Sequence, residues 1–126
     1  AAKGKEYTQY IEDGITVTGD RTAIGQLVSI LLDNAVKYSA ERGVIRLHVC
    51  RSGKRAEIEV YNTLSSDEKL DCKRLFERFY RPDVSRNAAT GGSGVGLSIA
   101  KATAEAHGGT IKARQNGREI TFTVRL

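Results

Sequence analysis

Cysteine, proline and aromatic residues are all scarce in this 126-residue sequence, and each shortage narrows the class of protein. The two cysteines, Cys50 and Cys72, have no metal-ligand spacing, which favours free thiols in a reducing cytoplasm over a disulfide. The sequence has a single proline, and 40% of its residues are hydrophobic and 28% charged. This composition is typical of an ordinary soluble globular chain. We therefore expect one domain over residues 1–126, large enough to bury a sizeable core.

Long apolar runs are also missing from the sequence. No stretch approaches the roughly 20 apolar residues that cross a bilayer. Residues 1–10 lack the apolar centre of a signal peptide. We expect a cytoplasmic domain that does not itself contact the membrane, although its parent protein can still be anchored there.

A net charge of +5 is compatible with a nucleic-acid partner. However, the basic residues are interleaved with acids, and the exception is one cluster, formed by Arg74, Arg78, Arg81 and Arg86. Aromatic residues are only 6% of the chain and form no visible base-stacking platform. A solvated surface explains the charge more simply, and we expect no nucleic-acid partner.

The first third of the chain predicts two strands and then a helix. Residues 5–20 contain β-forming residues on both sides of a turn at Asp13-Gly14. Asp20 or Thr22 then supplies a helix N-cap. Apolar residues follow it at helical spacing and predict one buried face, formed by Ile24, Leu27, Val28, Leu31, Leu32 and Ala35.

The rest of the chain mixes strands with shorter helices. Residues 43–51 and 55–62 alternate in polarity and predict two strands, whereas Asn116-Gly117 predicts a hairpin near the C-terminus. Residues 75–80 predict a short apolar helix, and residues 94–107 a mostly covered one. These elements favour an α+β sandwich with helices on one face of a sheet. Residues 81–93 lie between the two helices and predict a long, mobile, functional loop.

The stretch "TGGSGVGLSIAK", residues 90–101, places four glycines directly before a helix. Unpaired N–H groups and the macrodipole make a helix N-terminus a favourable place for a phosphate. The alternative is a flexible loop that happens to precede a helix, and the pattern alone does not decide between them.

Asn34 is an anomaly on the apolar face of the first helix. It is either a structural amide bonded to nearby backbone or an oxygen ligand for a cation. Lys37 and Tyr38 follow within one turn and add a phosphate-binding cation and an aromatic ring. Together with the glycine-rich segment, they suggest a nucleotide bound with Mg²⁺.

Three segments resemble the motifs of sensor histidine kinases, in the order and at the separations of that family. "LLDNAVKYS" is similar to the N box, "LFERFYR" to the F box and "GGSGVGLSIAKATAEAHGGTI" to the G2 box. The resemblance covers residues 20–126. It implies the Bergerat (GHKL) fold, a mixed sheet of about five strands with helices packed on one face.

The resemblance also implies an activity and its partners. The domain would bind ATP with Mg²⁺ and transfer the γ-phosphoryl to a histidine on a separate helical hairpin, of the same or a partner kinase chain. A response regulator would interact with that hairpin domain.

The resemblance assigns roles to residues of the first helix and of the F box. Asn34 would bind Mg²⁺, Lys37 would contact phosphate, and Tyr38 would lie near the adenosine. Asp33 stands where related ATPases place a catalytic acid. Around the lid, Phe76 and Phe79 would be anchors, Tyr80 and Arg81 would reach the nucleotide, and Arg78 and Arg86 would steady γ-phosphate charge.

Backbone groups of the glycine-rich segment would close over the triphosphate. The resemblance assigns close approach to the glycines Gly92, Gly94 and Gly96. It assigns the N–H groups that point at phosphate to Val95, Gly96 and Leu97.

The chain departs from the family at the G1 box, where residues 62–66 read "NTLSS" in place of Asp-x-Gly-x-Gly. Asn62 keeps an oxygen that accepts the adenine amino proton but loses charge assistance, and Leu64 replaces a glycine. From sequence we expect weak ATP binding that Asn62→Asp would strengthen.

The chain also lacks a plausible phosphoacceptor. His48 is expected on a solvated strand face beside Arg46, and His107 at a helix C-terminus.

Two rival functions remain open. One is a degenerate module of the same fold that senses nucleotide or docks a partner without catalysis. The other is an anti-sigma-type serine kinase of similar fold, against which the F box "FERFYR" argues.

Overall fold

A computed structural model describes residues 5–16, 19–80 and 95–126. The described ranges contain β1 (Glu6–Ile11), α1 (Arg21–Tyr38), β2 (Val44–Ser52), β3 (Arg55–Thr63), a 3₁₀ helix (Arg74–Phe76), α2 (Gly96–Ala106), β4 (Thr110–Asn116) and β5 (Glu119–Arg125). No helix within those ranges is long and apolar enough to cross a membrane. The predicted loop over residues 81–93 lies outside the described residues.

The described strands form one mixed sheet in the order β1-β2-β3-β5-β4. β1 is parallel to β2, and the other three pairs are antiparallel. The turn at Asn116-Gly117 joins β4 to β5 as predicted, with Gly117 at φ +60°. This five-stranded α+β sheet confirms the predicted fold class.

Of the two strands predicted on either side of Asp13-Gly14, the described residues contain only the first, as β1. The turn at Asp13-Gly14 forms, with Gly14 at φ +77°, but Ile15 and Thr16 lie in no strand. β1 instead pairs with β2, which lies more than thirty residues further along the chain, with Tyr7 opposite Ile45. Alternating polarity identifies a strand but not its partner, and here the turn leads the chain towards the first helix.

Asp20 starts α1, as the sequence predicts. Its Oδ1 accepts hydrogen bonds from the N–H groups of Thr22 (2.9 Å) and Ala23 (3.2 Å), which satisfies two otherwise unpaired donors. The predicted apolar face supplies its three fully buried residues, Leu27, Leu31 and Ala35.

The core lies between the sheet and the two α-helices. Alternate residues of β2, β3 and β5 face it, as the period-two pattern predicts. The edge of Phe76 packs against the face of Phe122, with ring centroids 6.0 Å apart, so the F box joins this core.

Two helix predictions need correction. Of residues 75–80, only Leu75 and Phe76 are helical, as part of the 3₁₀ helix, because the backbone becomes extended at Glu77 and left-handed at Phe79 (φ +68°). α2 is less covered than expected: Ala100 and Ala104 are buried, but Ile99 is 39% exposed. Because Ala100 and Ala104 have small side chains, α2 packs closely against its neighbours while burying only this narrow face.

Candidate functional site

The second half of α1 carries the N-box side chains. Asn34 and Tyr38 are half-buried, whereas Asp33 and Lys37 are exposed. Asn34 precedes the buried Ala35, so it lies at the border of the apolar face, not at its centre as the spacing suggested. An amide, an exposed cation and an aromatic ring therefore lie within the last turns of the helix.

Asn62 lies near the end of β3 and is 1% exposed. Its Nδ2 donates a 3.0 Å hydrogen bond to the carbonyl oxygen of Thr63. Within the described part of the chain, its Oδ1 is buried and has no hydrogen-bond partner. A buried acceptor without a donor costs about 1–3 kcal/mol, which a ligand N–H group would relieve.

Thr63 joins the end of β3 to the turn that follows α1. Its carbonyl accepts from the Ala40 N–H (2.9 Å), and its Oγ1 accepts from the Val44 N–H (2.9 Å). The turn passes so close that a Cβ on Gly43 would lie 2.3 Å from Oγ1. Thr63 thereby holds the turn that follows α1 against the end of β3, beside Asn62.

The start of α2 approaches α1 one turn before Asn34. A Cβ on Gly96 would lie 3.4 Å from Cγ2 of Ile30. Residues i and i+4 share one face of a helix, so Asn34 lies on the face that meets the start of α2.

The N-terminus of α2 is open to an anion. Its N-cap is Val95, whose side chain makes no capping hydrogen bond, and the first turn holds no acidic residue. α1 differs, because Asp20 caps it. Within the described residues, the N–H groups of Gly96 and Leu97 thus remain available to a phosphate.

The F box packs against α2 and the core. Tyr80 is half-buried against the core, and the guanidinium of Arg74 lies 4.5 Å from its ring centroid. Arg78 is exposed and lies 4.7 Å from the ring centroid of Phe79. The remaining predicted site residues, Arg81, Arg86, Gly92 and Gly94, lie outside the described residues.

Sequence reasoning missed Thr63 as part of the site. In sequence it is only a β-forming residue after Asn62, and its role depends on Ala40 and Val44, which are distant along the chain. Gly43 was the one available signal, since a glycine directly before a strand often marks a close backbone approach.

Both cysteines are free, as predicted. Burial raises the pKa of the Cys72 thiol, with a smaller upward effect from Asp71 and an opposing one from the Gln115 backbone. Burial also raises the pKa of Cys50, and Glu57 adds to the shift. Both thiols are therefore protonated and weakly nucleophilic at neutral pH.

A family model described as "Histidine kinase-, DNA gyrase B-, and HSP90-like ATPase" matches residues 19–126. The chain belongs to this family. The resemblance inferred from the N, F and G2 boxes is thus confirmed for nearly the whole chain.

Curated relatives agree with the family. The chain is 42% identical over 123 residues to "Probable sensor protein PcoS" of Escherichia coli, covering 98% of this chain and 26% of that protein. It is 37% identical over 126 residues to "Sensor protein VanS" of Enterococcus faecium, covering 100% of this chain and 33% of that protein. The chain therefore spans about a quarter to a third of these relatives.

A solved structure shares the fold. The mycobacterial sensor histidine kinase MprB aligns with a TM-score of 0.82 at 25% identity, covering 98% of this chain and 83% of that one. The catalytic domain of histidine kinase ThkA aligns equally well at 21% identity, which supports the fold alone.

Proposed function

We propose that this domain binds Mg-ATP and transfers the γ-phosphoryl group to a histidine on a separate phosphoacceptor domain. The observation that carries the proposal is the buried Oδ1 of Asn62, which has no hydrogen-bond partner among residues 5–16, 19–80 and 95–126. The family membership and the relatives named as sensor proteins support it.

The adenosine would bind between the end of β3 and the end of α1. Asn62 Oδ1 accepts a hydrogen bond from the adenine amino group, and Tyr38 lies against the nucleoside. Thr63 holds the two elements together through the Ala40 N–H. Binding would thus supply the donor that the buried oxygen lacks.

The triphosphate would extend towards the start of α2. N–H groups of Val95, Gly96 and Leu97 donate to it, and the ammonium of Lys37 offsets its charge. Gly92 and Gly94 allow the backbone before α2 to approach. Phosphoryl transfer depends mainly on such positioning and charge neutralisation.

The chain offers a suitable ligand for Mg²⁺. Mg²⁺ prefers oxygen ligands and uses few from the protein, keeping phosphate oxygens and waters for the rest. Asn34 supplies one amide oxygen on the helix face that meets the start of α2, so it fits this role. When bound, the ion would neutralise charge on the phosphates.

Residues of the F box would complete the site around the phosphates. We assign Tyr80 and Arg81 to the nucleotide and Arg78 to γ-phosphate charge, with Arg86 in the same role. Tyr80 is already held by core packing and by Arg74, so it offers a fixed surface at the site border.

The phosphoacceptor histidine would come from outside this chain. His107 has both ring nitrogens in hydrogen bonds, to Asp20 and Thr103. His48 stacks on Tyr10 with ring centroids 5.0 Å apart, on the open face of the sheet. The acceptor would lie on a helical hairpin of the same or a partner chain, which then serves a response regulator in the cytoplasm.

Calorimetric titration of the domain with ATP, with and without Mg²⁺, tests the binding step. Autophosphorylation of the full-length parent protein tests the transfer step. An acid-labile phosphoamino acid is expected, and an acid-stable one would identify a serine kinase instead.

A non-catalytic module of the same fold is the second candidate. Leu64, which stands in place of a glycine, favours it, because its half-buried side chain packs against the core at the G1 position. Saturable ATP binding without autophosphorylation of the full-length protein would support this candidate.

A further inference from the structure

The side-chain amide of Asn62 can take two orientations, and its neighbour permits only one. With Nδ2 towards Thr63, the amide donates to the carbonyl oxygen at 3.0 Å. The reversed amide would place Oδ1 against that carbonyl, so that two acceptors face each other and the bond is lost. The Thr63 carbonyl therefore holds the amide with its oxygen free.

Among the residues that the structure describes, this oxygen has no other donor. Asn62 is opposite Ile45 on β2 and Ile120 on β5, and both neighbours are buried and apolar. The Thr63 carbonyl also accepts from the Ala40 N–H at 2.9 Å, so the turn after α1 holds the carbonyl itself in place.

From this arrangement we infer that Thr63 is a positioning residue that makes Asn62 a one-directional reader of the ligand. Asn62 then selects a base edge that presents an N–H donor and rejects one that presents an oxygen. Asparagine therefore suits this position better than aspartate does. It rests on the proposed nucleotide binding and specifies how that site recognises the base.

The effect of Asn62→Asp is the reverse of the expectation from sequence. An ionised carboxylate would place one oxygen against the Thr63 carbonyl and would lose the 3.0 Å hydrogen bond. It would also be a charge at a position that is 1% exposed, which raises the pKa of the new carboxyl. The charged form is therefore disfavoured.

A protonated carboxyl would restore the original pattern. Its O–H can donate to the Thr63 carbonyl, while its C=O remains an acceptor for the ligand. We expect Asn62→Asp to bind ATP about tenfold more weakly than the wild type near pH 8. The difference should shrink as the pH falls to about 5.5, because more of the buried carboxyl is protonated.

Base discrimination supplies a second readout. ATP presents an amino group at the six position of the purine, inosine triphosphate presents an oxygen, and purine riboside triphosphate presents neither. The wild type should bind ATP most tightly, purine riboside triphosphate less tightly and inosine triphosphate least. We expect a difference of about tenfold or more between ATP and inosine triphosphate. Asn62→Leu, of similar size, should reduce that ratio to near one.

The experiment is calorimetric titration of the three nucleotides with Mg²⁺ into the wild type, Asn62→Asp and Asn62→Leu, at about pH 8 and about pH 5.5. Thermal unfolding of each variant without nucleotide is the control for folding. If Asn62→Leu does not fold, the wild-type nucleotide order and the pH dependence of Asn62→Asp still decide the question.

The outcomes separate this inference from the proposed function. Two results together support the inference. The wild type binds ATP, purine riboside triphosphate and inosine triphosphate with decreasing affinity, and Asn62→Asp regains ATP affinity at about pH 5.5. ATP binding with equal affinity for inosine triphosphate, or an Asn62→Asp that binds more tightly near pH 8, overturns this inference alone. A wild type that binds no adenine nucleotide at millimolar concentration overturns the proposed function, and this inference with it.

Discussion

The imidazole of His107, at the end of α2, accepts a 3.0 Å hydrogen bond at Nε2 from the backbone N–H of Asp20, the N-cap of α1. Its Nδ1 lies 2.8 Å from the carbonyl oxygen of Thr103. An imidazole that accepts at Nε2 and donates at Nδ1 is neutral. This contact joins the two helices at the end opposite the close approach of Gly96 to Ile30.

Removing this contact should destabilise the helix pair. We expect His107→Ala to lower the free energy of unfolding by about 0.5–1.5 kcal/mol through the lost hydrogen bond. Gly19→Ala should also destabilise, because its new Cβ would lie 2.3 Å from Cδ2 of His107. Urea denaturation measures both effects.

The double variant provides the control for this pair. Without the imidazole, the new methyl group at position 19 has space, so the two effects should be less than additive. Strictly additive losses would show that His107 does not lie against Gly19.

The Tyr61–Glu119 hydrogen bond should make the free energy of unfolding depend on pH in the alkaline range. The Tyr61 hydroxyl donates a 2.6 Å hydrogen bond to Glu119, and burial, followed by that carboxylate, raises the pKa of the phenol. In the unfolded chain the phenol ionises near pH 10, whereas the folded chain retains the proton. Stability is therefore present below that pH and decreases as the pH rises above it.

Tyr61→Phe should flatten this alkaline decrease in the free energy of unfolding. Glu119→Gln is the matched control, since it keeps an acceptor but removes the charge and should flatten the decrease only in part. Denaturation curves between about pH 8 and about pH 11 give the free energy of unfolding as a function of pH. The same decrease for the wild type and Tyr61→Phe would contradict this prediction.

Asn34 should account for the effect of Mg²⁺ on nucleotide binding. We expect Asn34→Ala to fold normally, because the residue is only half-buried, and to bind ATP equally with or without Mg²⁺. Ser29→Ala, at an exposed position on the same helix, is the control and should keep the metal dependence. Mg²⁺-dependent binding that survives in Asn34→Ala would remove Asn34 from the metal site.

Local signals in the sequence predicted most of the fold. The Asp20 cap, the apolar spacing of α1 and the Asn116-Gly117 turn each depend on neighbouring residues, and each formed as expected. The partner of β1 was missed because parallel pairing joins segments far apart in the chain. The helix predicted over residues 75–80 does not continue past Phe76, because Phe79 takes a left-handed backbone that apolar periodicity does not reveal.

The candidate site divides in the same way. The motifs alone predicted roles for Asn34 and Gly96. Gly96 lies against Ile30 of α1, and Asn34 follows Ile30 by one helical turn. The orientation of the Asn62 amide could not be predicted, because it is set by the Thr63 carbonyl, itself held by Ala40. Contacts of this kind depend on the packed backbone and not on residue type.

Gly96 allows phosphate binding to be separated from packing. A Cβ at this position would meet Cγ2 of Ile30 at 3.4 Å, an ordinary van der Waals contact. Alanine also restricts the unfolded chain more than glycine, so Gly96→Ala should leave stability unchanged or raise it by about 0.4–1 kcal/mol. If the N–H groups of this first turn bind phosphate at close range, the added methyl group should nevertheless weaken ATP binding by about tenfold.

Gly43→Ala is the contrasting variant for this last prediction. Its Cβ would lie 2.3 Å from Oγ1 of Thr63 and 2.7 Å from the carbonyl oxygen of Ala40, so it should lower stability even without nucleotide. Thermal unfolding and ATP titration of both variants make the comparison. Gly96→Ala should lose affinity without losing stability, because its methyl group obstructs only the bound phosphate. A Gly96→Ala domain that binds ATP as tightly as the wild type would show that the triphosphate does not approach the backbone at the start of α2.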